Sequence, residues 1–100
     1  MSASRPKAGA RPIPIISIFF GIVIRINFFD HAPPHLHAAH GGTEALFDIR
    51  TGRTIAGAIQ RRETRYVVEW IAKNRAELMR NWDLAANGQP TFKIEGLEDE

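Results

Sequence analysis

The chain of 100 residues contains no cysteine, only one tyrosine and no apolar run of membrane-spanning length. Without cysteine there is no disulfide, no thiolate metal ligand and no thiol nucleophile, a composition that fits a reducing cytosol. The longest apolar stretch, Ile13–Ile24, is about half of the ~20 residues a spanning helix needs. Pro14, Ser17 and Gly21 interrupt it, and it runs straight into Arg25. No small-residue cleavage pattern follows, since the next residues are Ile26, Asn27, Phe28 and Phe29. We therefore expect a cytoplasmic protein, neither exported nor membrane-bound, and read the stretch as a buried hairpin.

Acidic residues are also scarce through the first 62 positions, where Asp30, Glu44 and Asp48 face eight lysines and arginines. The last seven residues reverse this, with Glu95, Glu98, Asp99 and Glu100 and no base. Such asymmetry permits a basic surface that meets nucleic acid or an acidic partner, and equally an ordinary solvated surface with charged ends. There is no glycine-rich phosphate loop, no GxSxG elbow, no paired-carboxylate spacing and no internal repeat.

What is present is an ordinary globular balance, 44% apolar and 24% charged, at the size of one domain. Residues 1–12 are small, basic and proline-containing and are read as a disordered tail; 13–97 form the domain, and 98–100 an acidic tail. Ile15–Phe20 and Ile22–Phe28 read as two strands meeting at Gly21. The first is apolar at nearly every position, which predicts cover on both faces. In the second, Ile22, Ile24 and Ile26 share one face and Val23, Arg25 and Asn27 the other. Pro33-Pro34 interrupts the ladder. His35–His40, a Gly41-Gly42 turn, Glu44–Ile49 and a weaker Thr54–Ile59 follow.

From Arg61 the period becomes helical, with Val67, Trp70 and Ile71 on one face. Asn74-Arg75-Ala76-Glu77 matches a capping box, so a second helix is expected there, carrying Leu78, Met79, Trp82 and Ala86 inward and ending at Gly88. Thr91–Leu97 is predicted to lie extended along the sheet. The fold class is α+β: a four- to five-stranded antiparallel meander followed by two helices on one face.

All four histidines, His31, His35, His37 and His40, fall within ten residues. On a strand, His35 and His37 point the same way, so their imidazoles can converge on one ion such as zinc, with His31 as third ligand and Asp30 as fourth or as an orienting acceptor. His40 has the opposite parity. Two further readings stay open. Imidazole N–H groups satisfy carbonyls left unpaired by the prolines, or His31, His35 and His37 perform metal-free acid–base cleavage of RNA, with Arg25, Arg50 or Arg53 stabilising charge. Arg50, Arg53, Arg61, Arg62 and Arg65 are candidates for phosphate contacts. Trp70 and Trp82 sit at inward helical positions and are read as core.

The string Asp30-His31-x-Pro33-Pro34-His35-x-His37, with Gly42, Gly52, Gly57, Trp70, Glu77-Leu78, Trp82 and Ile94, resembles the bacterial domain-of-unknown-function family DUF4160. The resemblance covers about residues 13–97. It departs at His40, where such proteins often carry an aromatic. The resemblance implies a companion protein of the DUF2442 type and a two-gene, toxin–antitoxin-like module. On that basis the expected function is a binding or regulatory domain acting through a protein partner or as a homo-oligomer. The alternatives are a histidine-centred hydrolase or ribonuclease and a nucleic-acid-binding module.

Overall fold

A computed structural model describes residues 14–98; the expected disordered tail at 1–12 and most of the acidic end lie outside these residues. Five strands form one antiparallel sheet in sequence order: β1 (Ile15–Phe19), β2 (Ile22–Arg25), β3 (His35–His40), β4 (Thr43–Asp48) and β5 (Thr54–Gly57). Two helices follow, α1 (Arg61–Lys73) and α2 (Arg75–Ala86). This is the α+β meander that the alternation of periods predicts.

Two-residue turns set the register of the first and third hairpins. Phe20 and Gly21 both take positive φ, 53° and 75°, the twist that suits tightly joined antiparallel strands. Gly41 and Gly42 do the same between β3 and β4, so His40 pairs with Thr43, Ala39 with Glu44 and His37 with Leu46. The period of two then divides the sheet. Ile22, Ile24, Leu36, Ala38, Ala45 and Phe47 face the helices, where Val67, Trp70, Ile71, Leu78 and Ala85 complete the core. Each large side chain buried this way contributes roughly 1.5–3 kcal/mol.

Strand β1 departs from expectation, because only one of its faces is covered. Ile18 pairs with Val23 on the side away from the helices and is 62% exposed. A bulge between Ile15 and Ser17 inserts Ile16, which lets two consecutive residues, Ile16 and Ser17, point inward. The apolar run thus reflects a bulge and one exposed isoleucine, and no second layer.

The capping box is also absent. Asn74 makes no side-chain cap bond to α2; its Nδ2 donates back to the Trp70 carbonyl at 2.9 Å, so it closes α1. A single residue therefore joins the helices. Beyond α2 the chain runs back over β1 without forming a sixth strand. The Ile94 N–H donates to the Ile16 carbonyl, Trp70 Nε1 donates to the Glu95 carbonyl, and the buried Asn81 side chain bonds the Phe92 backbone in both directions.

Candidate metal centre

The face of the sheet turned away from the helices carries His35 and His37. Register places Arg25 beside His37 on one flank, and Leu46 and Asp48 opposite His37 and His35 on the other. Both histidines are nevertheless buried: the β2–β3 connection lies beside them, and at the end of the strand the Trp82 ring of α2 reaches round to His35. That connection is anchored from a distance. Phe29 has φ 58°, its N–H donates to the Ala85 carbonyl at 2.9 Å, and its ring lies where a Cβ on Gly88 would stand 2.4 Å away. The next residue is Asp30. Its Oδ1 accepts the His31 N–H at 3.0 Å, while Oδ2 reaches the histidine rings.

The structure brings together Asp30, His35 and His37, with one ligand atom from each within 4.8 Å of the others. Asp30 Oδ2 is 3.0 Å from His35 Nε2 and 3.8 Å from His37 Nε2, and the two rings are 5.3 Å apart at their centroids. Ligands bound at 2.0–2.1 Å to a tetrahedral ion stand roughly 3.3 Å from one another, so the two carboxylate separations bracket the needed spacing.

Hydrogen-bond chemistry assigns the ring nitrogens. His35 Nδ1 lies 2.8 Å from the Pro33 carbonyl, which only accepts, so Nδ1 carries the proton and Nε2 faces Asp30. A carboxylate oxygen also only accepts. The 3.0 Å contact between them therefore requires a positive species, a proton or a metal ion. His37 Nδ1 lies 2.7 Å from Glu44 Oε2 and 3.3 Å from an Arg25 Nη; the much shorter contact is to an acceptor, so Nδ1 donates to Glu44. Its Nε2, like that of His35, is turned toward Asp30. In both rings the outer nitrogen is spent on a fixed acceptor and the inner one is turned toward Asp30, which is how metal-bound histidines are usually oriented.

Two residues that the sequence reading left out support this arrangement, and a third takes a new part. Glu44 accepts from His37 and also pairs with Arg25, at 3.0 Å. Arg25 Nε donates to Asn27 Oδ1 at 3.1 Å, which turns the Asn27 Nδ2 toward His37 Nε2 at 3.3 Å. Arg25, considered above only as a charge stabiliser, is thus held by Glu44 and Asn27 and lies 3.3 Å from the His37 ring nitrogen between them. Burial raises the Glu44 carboxyl, but hydrogen bonds from His37 and Arg25 and their charges outweigh it and hold the group below its ordinary value. Burial likewise opposes ionisation of Asp30, and the His31 N–H with the charges of His35, His31 and His37 overcomes it, again lowering the pKa.

The remaining candidates lie elsewhere. His31 is at the rim with its side chain 94% exposed, and its Nδ1 is 3.7 Å from the outward oxygen of Asp30. Three imidazoles do not converge; the third inward group is the carboxylate one residue earlier. His40 is on the helix-facing side, as its parity requires, bonded through Nδ1 to Gln60 Oε1 at 2.6 Å and 3.7 Å from the buried Glu63. Arg50 and Arg53 stand in the β4–β5 turn, whereas Arg61 and Arg62 open α1 beyond the other end of β5. They do not form one stripe. Trp70 and Trp82 are core side chains, and Trp82 also packs 5.2 Å from the His35 ring. Among the described residues no helix is long and apolar enough to cross a membrane.

Two buried histidines on an antiparallel sheet backed by two helices, with a half-buried carboxylate from the adjoining loop, define a small α+β protein with a candidate metal centre. The chain matches the family described as a domain of unknown function (DUF4160) over residues 21–83, more than half its length, and it belongs to that family. The matched region holds all three convergent residues together with Arg25, Asn27 and Glu44. No curated protein and no solved structure matches it.

Proposed function

We propose that this protein binds a divalent transition metal, zinc foremost, through Asp30 Oδ2 and the Nε2 atoms of His35 and His37, and that the site serves hydrolysis. The observation that supports this reading is the shared orientation of the two imidazoles: both outer N–H groups are spent and both inner nitrogens face one carboxylate oxygen. Three protein ligands leave a coordination position for water or substrate, and a zinc ion there lowers the pKa of bound water to about 7. The mixed nitrogen and oxygen donors also suit iron(II). The depression over the site, walled by the 31–33 loop, Leu46 and Ile55, gives a substrate access. A phosphodiester such as RNA is the substrate class we favour, since Arg53 is held opposite Asp48 by a 2.8 Å backbone bond beside the His35 pair.

Metal analysis of protein purified without a polyhistidine tag tests the reading. One equivalent is expected in the wild type, and none in His35→Ala or Asp30→Ala. Failure of the wild type to take up zinc, cobalt or iron(II) on titration overturns it. Loaded protein that leaves RNA uncut removes the hydrolytic part and leaves the metal site standing.

A second reading, a regulatory domain acting through a protein partner, is favoured by the uncovered sheet face with Ile18 exposed and by Ile55 on the outermost strand, 46% exposed. A DUF2442-type companion and a second copy of this chain are the partners proposed. Light scattering after size exclusion decides between them, and a strict monomer that ignores the companion removes this reading.

A further inference from the structure

The Asn27 amide occupies the position a metal needs. A neutral imidazole nitrogen without a proton has one lone pair. His37 Nδ1 carries the ring proton, because it donates to Glu44 Oε2 at 2.7 Å. The lone pair on Nε2 is therefore the only one the ring offers, and Asn27 Nδ2 lies 3.3 Å from it. The amide is not free to turn its oxygen there instead. Arg25 Nε donates to Asn27 Oδ1 at 3.1 Å, and the same guanidinium is tied to Glu44 at 3.0 Å. One arginine thus sets both ends of the His37 ring. Through Glu44 it fixes the tautomer that makes Nε2 a ligand, and through Asn27 it supplies a donor to that same nitrogen.

We propose, resting on the metal reading above, that Asn27 is a latch on the metal site: its N–H and the metal ion are mutually exclusive partners of His37 Nε2, so that loading requires the Asn27 side chain to leave. The latch satisfies a buried imidazole nitrogen in the metal-free protein and lowers the affinity of the site, which keeps the metal exchangeable. At His35 the metal displaces only a proton, which passes to solvent, because Nε2 faces the Asp30 carboxylate at 3.0 Å and no side-chain donor. The site therefore loads asymmetrically, with His35 and Asp30 engaging first and His37 closing after Asn27 withdraws. Arg25 loses one of its acceptors in that step and keeps Glu44.

The test is a zinc and cobalt(II) titration of the full chain, comparing wild type with Asn27→Leu, which keeps the volume and removes the donor, and with Asn27→Ala. Removing one hydrogen bond that competes with the metal tightens binding by roughly twofold to tenfold. On zinc loading the Asn27 side-chain N–H protons move off His37 Nε2 and lose their protection from solvent exchange, a change that an asparagine keeping its hydrogen bond does not show. Wild type that binds metal with both variants equal or weaker, or with the Asn27 amide unmoved, overturns the latch and leaves the metal reading intact. No binding by wild type or by either variant overturns the metal reading itself, and the latch with it. Binding by the variants alone overturns the metal reading for the natural chain, and the exchangeable latch with it. A melting curve on each variant confirms folding before titration, and either variant suffices for the comparison.

Discussion

Replacing Glu44 separates the metal site from the fold. Glu44 is on β4, diagonal to His37 across the β3–β4 pair, and its Oε2 takes the His37 Nδ1 proton at 2.7 Å and an Arg25 N–H at 3.0 Å. Glu44→Gln keeps the length and one acceptor oxygen, and loses the charge that strengthens both bonds. Groups of this kind behind a metal-bound histidine are worth 10- to 100-fold in affinity, or about 1.4–2.7 kcal/mol. The folded chain loses far less. The Glu44 side chain is 38% exposed, and an ion pair that wet contributes about 0–1 kcal/mol. The expected result is a zinc dissociation constant raised at least tenfold, with a melting temperature lowered by at most about 8 °C. Calorimetric zinc titration read beside thermal unfolding of the metal-free protein measures both. If Glu44→Gln binds zinc within twofold of wild type while His37→Ala does not bind, the assigned tautomer of His37 is wrong, and with it the reason for placing the metal at Nε2.

Three further outcomes follow from the same contacts. His31→Ala is expected to leave zinc affinity within about twofold of wild type, since its side chain is 94% exposed and meets only the outward oxygen of Asp30, whereas His35→Ala abolishes binding; equal losses in the two titrations would mean that His31 swings inward. Gly88→Ala strains a backbone at φ 71° and drives a Cβ into the Phe29 ring, so urea unfolding should show a loss of more than ~1 kcal/mol, and metal affinity should fall as the Asp30 loop is pushed off the rings. Asp30 and Glu44 both have folded-state pKa values below their ordinary 3.8 and 4.5, so the unfolded chain binds their protons first as the pH drops. The stability they add is fully present above about pH 5 and is lost as the pH falls through the lowered values. In Asp30→Asn together with Glu44→Gln, that part of the acid-unfolding slope should vanish.

Much of this was readable from periodicity. The alternation in Ile22–Ile26 predicts the core face of β2, and the same period places His35 with His37 and sets His40 apart. The partners of His37 were within reach of the same reasoning. A two-residue turn at Gly41-Gly42 pairs Ala39 with Glu44 and His37 with Leu46, which leaves Glu44 diagonal to His37 and able to reach its ring. The bulge at Ile16 was not readable, because nothing local distinguishes an inserted isoleucine from a paired one. The apparent capping box failed for a similar reason. Asn74 fits both as the start of α2 and as the end of α1, and the nearness of the Trp70 carbonyl decided for the second.

The exchange of Asp30 for His31 as the inward residue shows where local pattern stops. A strand has a period, and a connection has none. Whether residue 30 or residue 31 faces the rings depends on the positive φ of Phe29, an arrangement unfavourable for a bulky residue and sustained only from outside. What sustains it comes from the end of α2, where the Ala85 carbonyl receives the Phe29 N–H and Gly88 leaves room for the ring. More than fifty residues separate those partners in sequence, so no window around the histidines contains the information. The same dependence ties the site to the helices: Asp30 stays in place only while α2 ends where it does. Lengthening α2 by one turn before Gly88 should therefore abolish zinc uptake while β3 and β4 still carry His35, His37 and Glu44 in register. Full affinity in that variant would show that the loop holds its shape without the helix end.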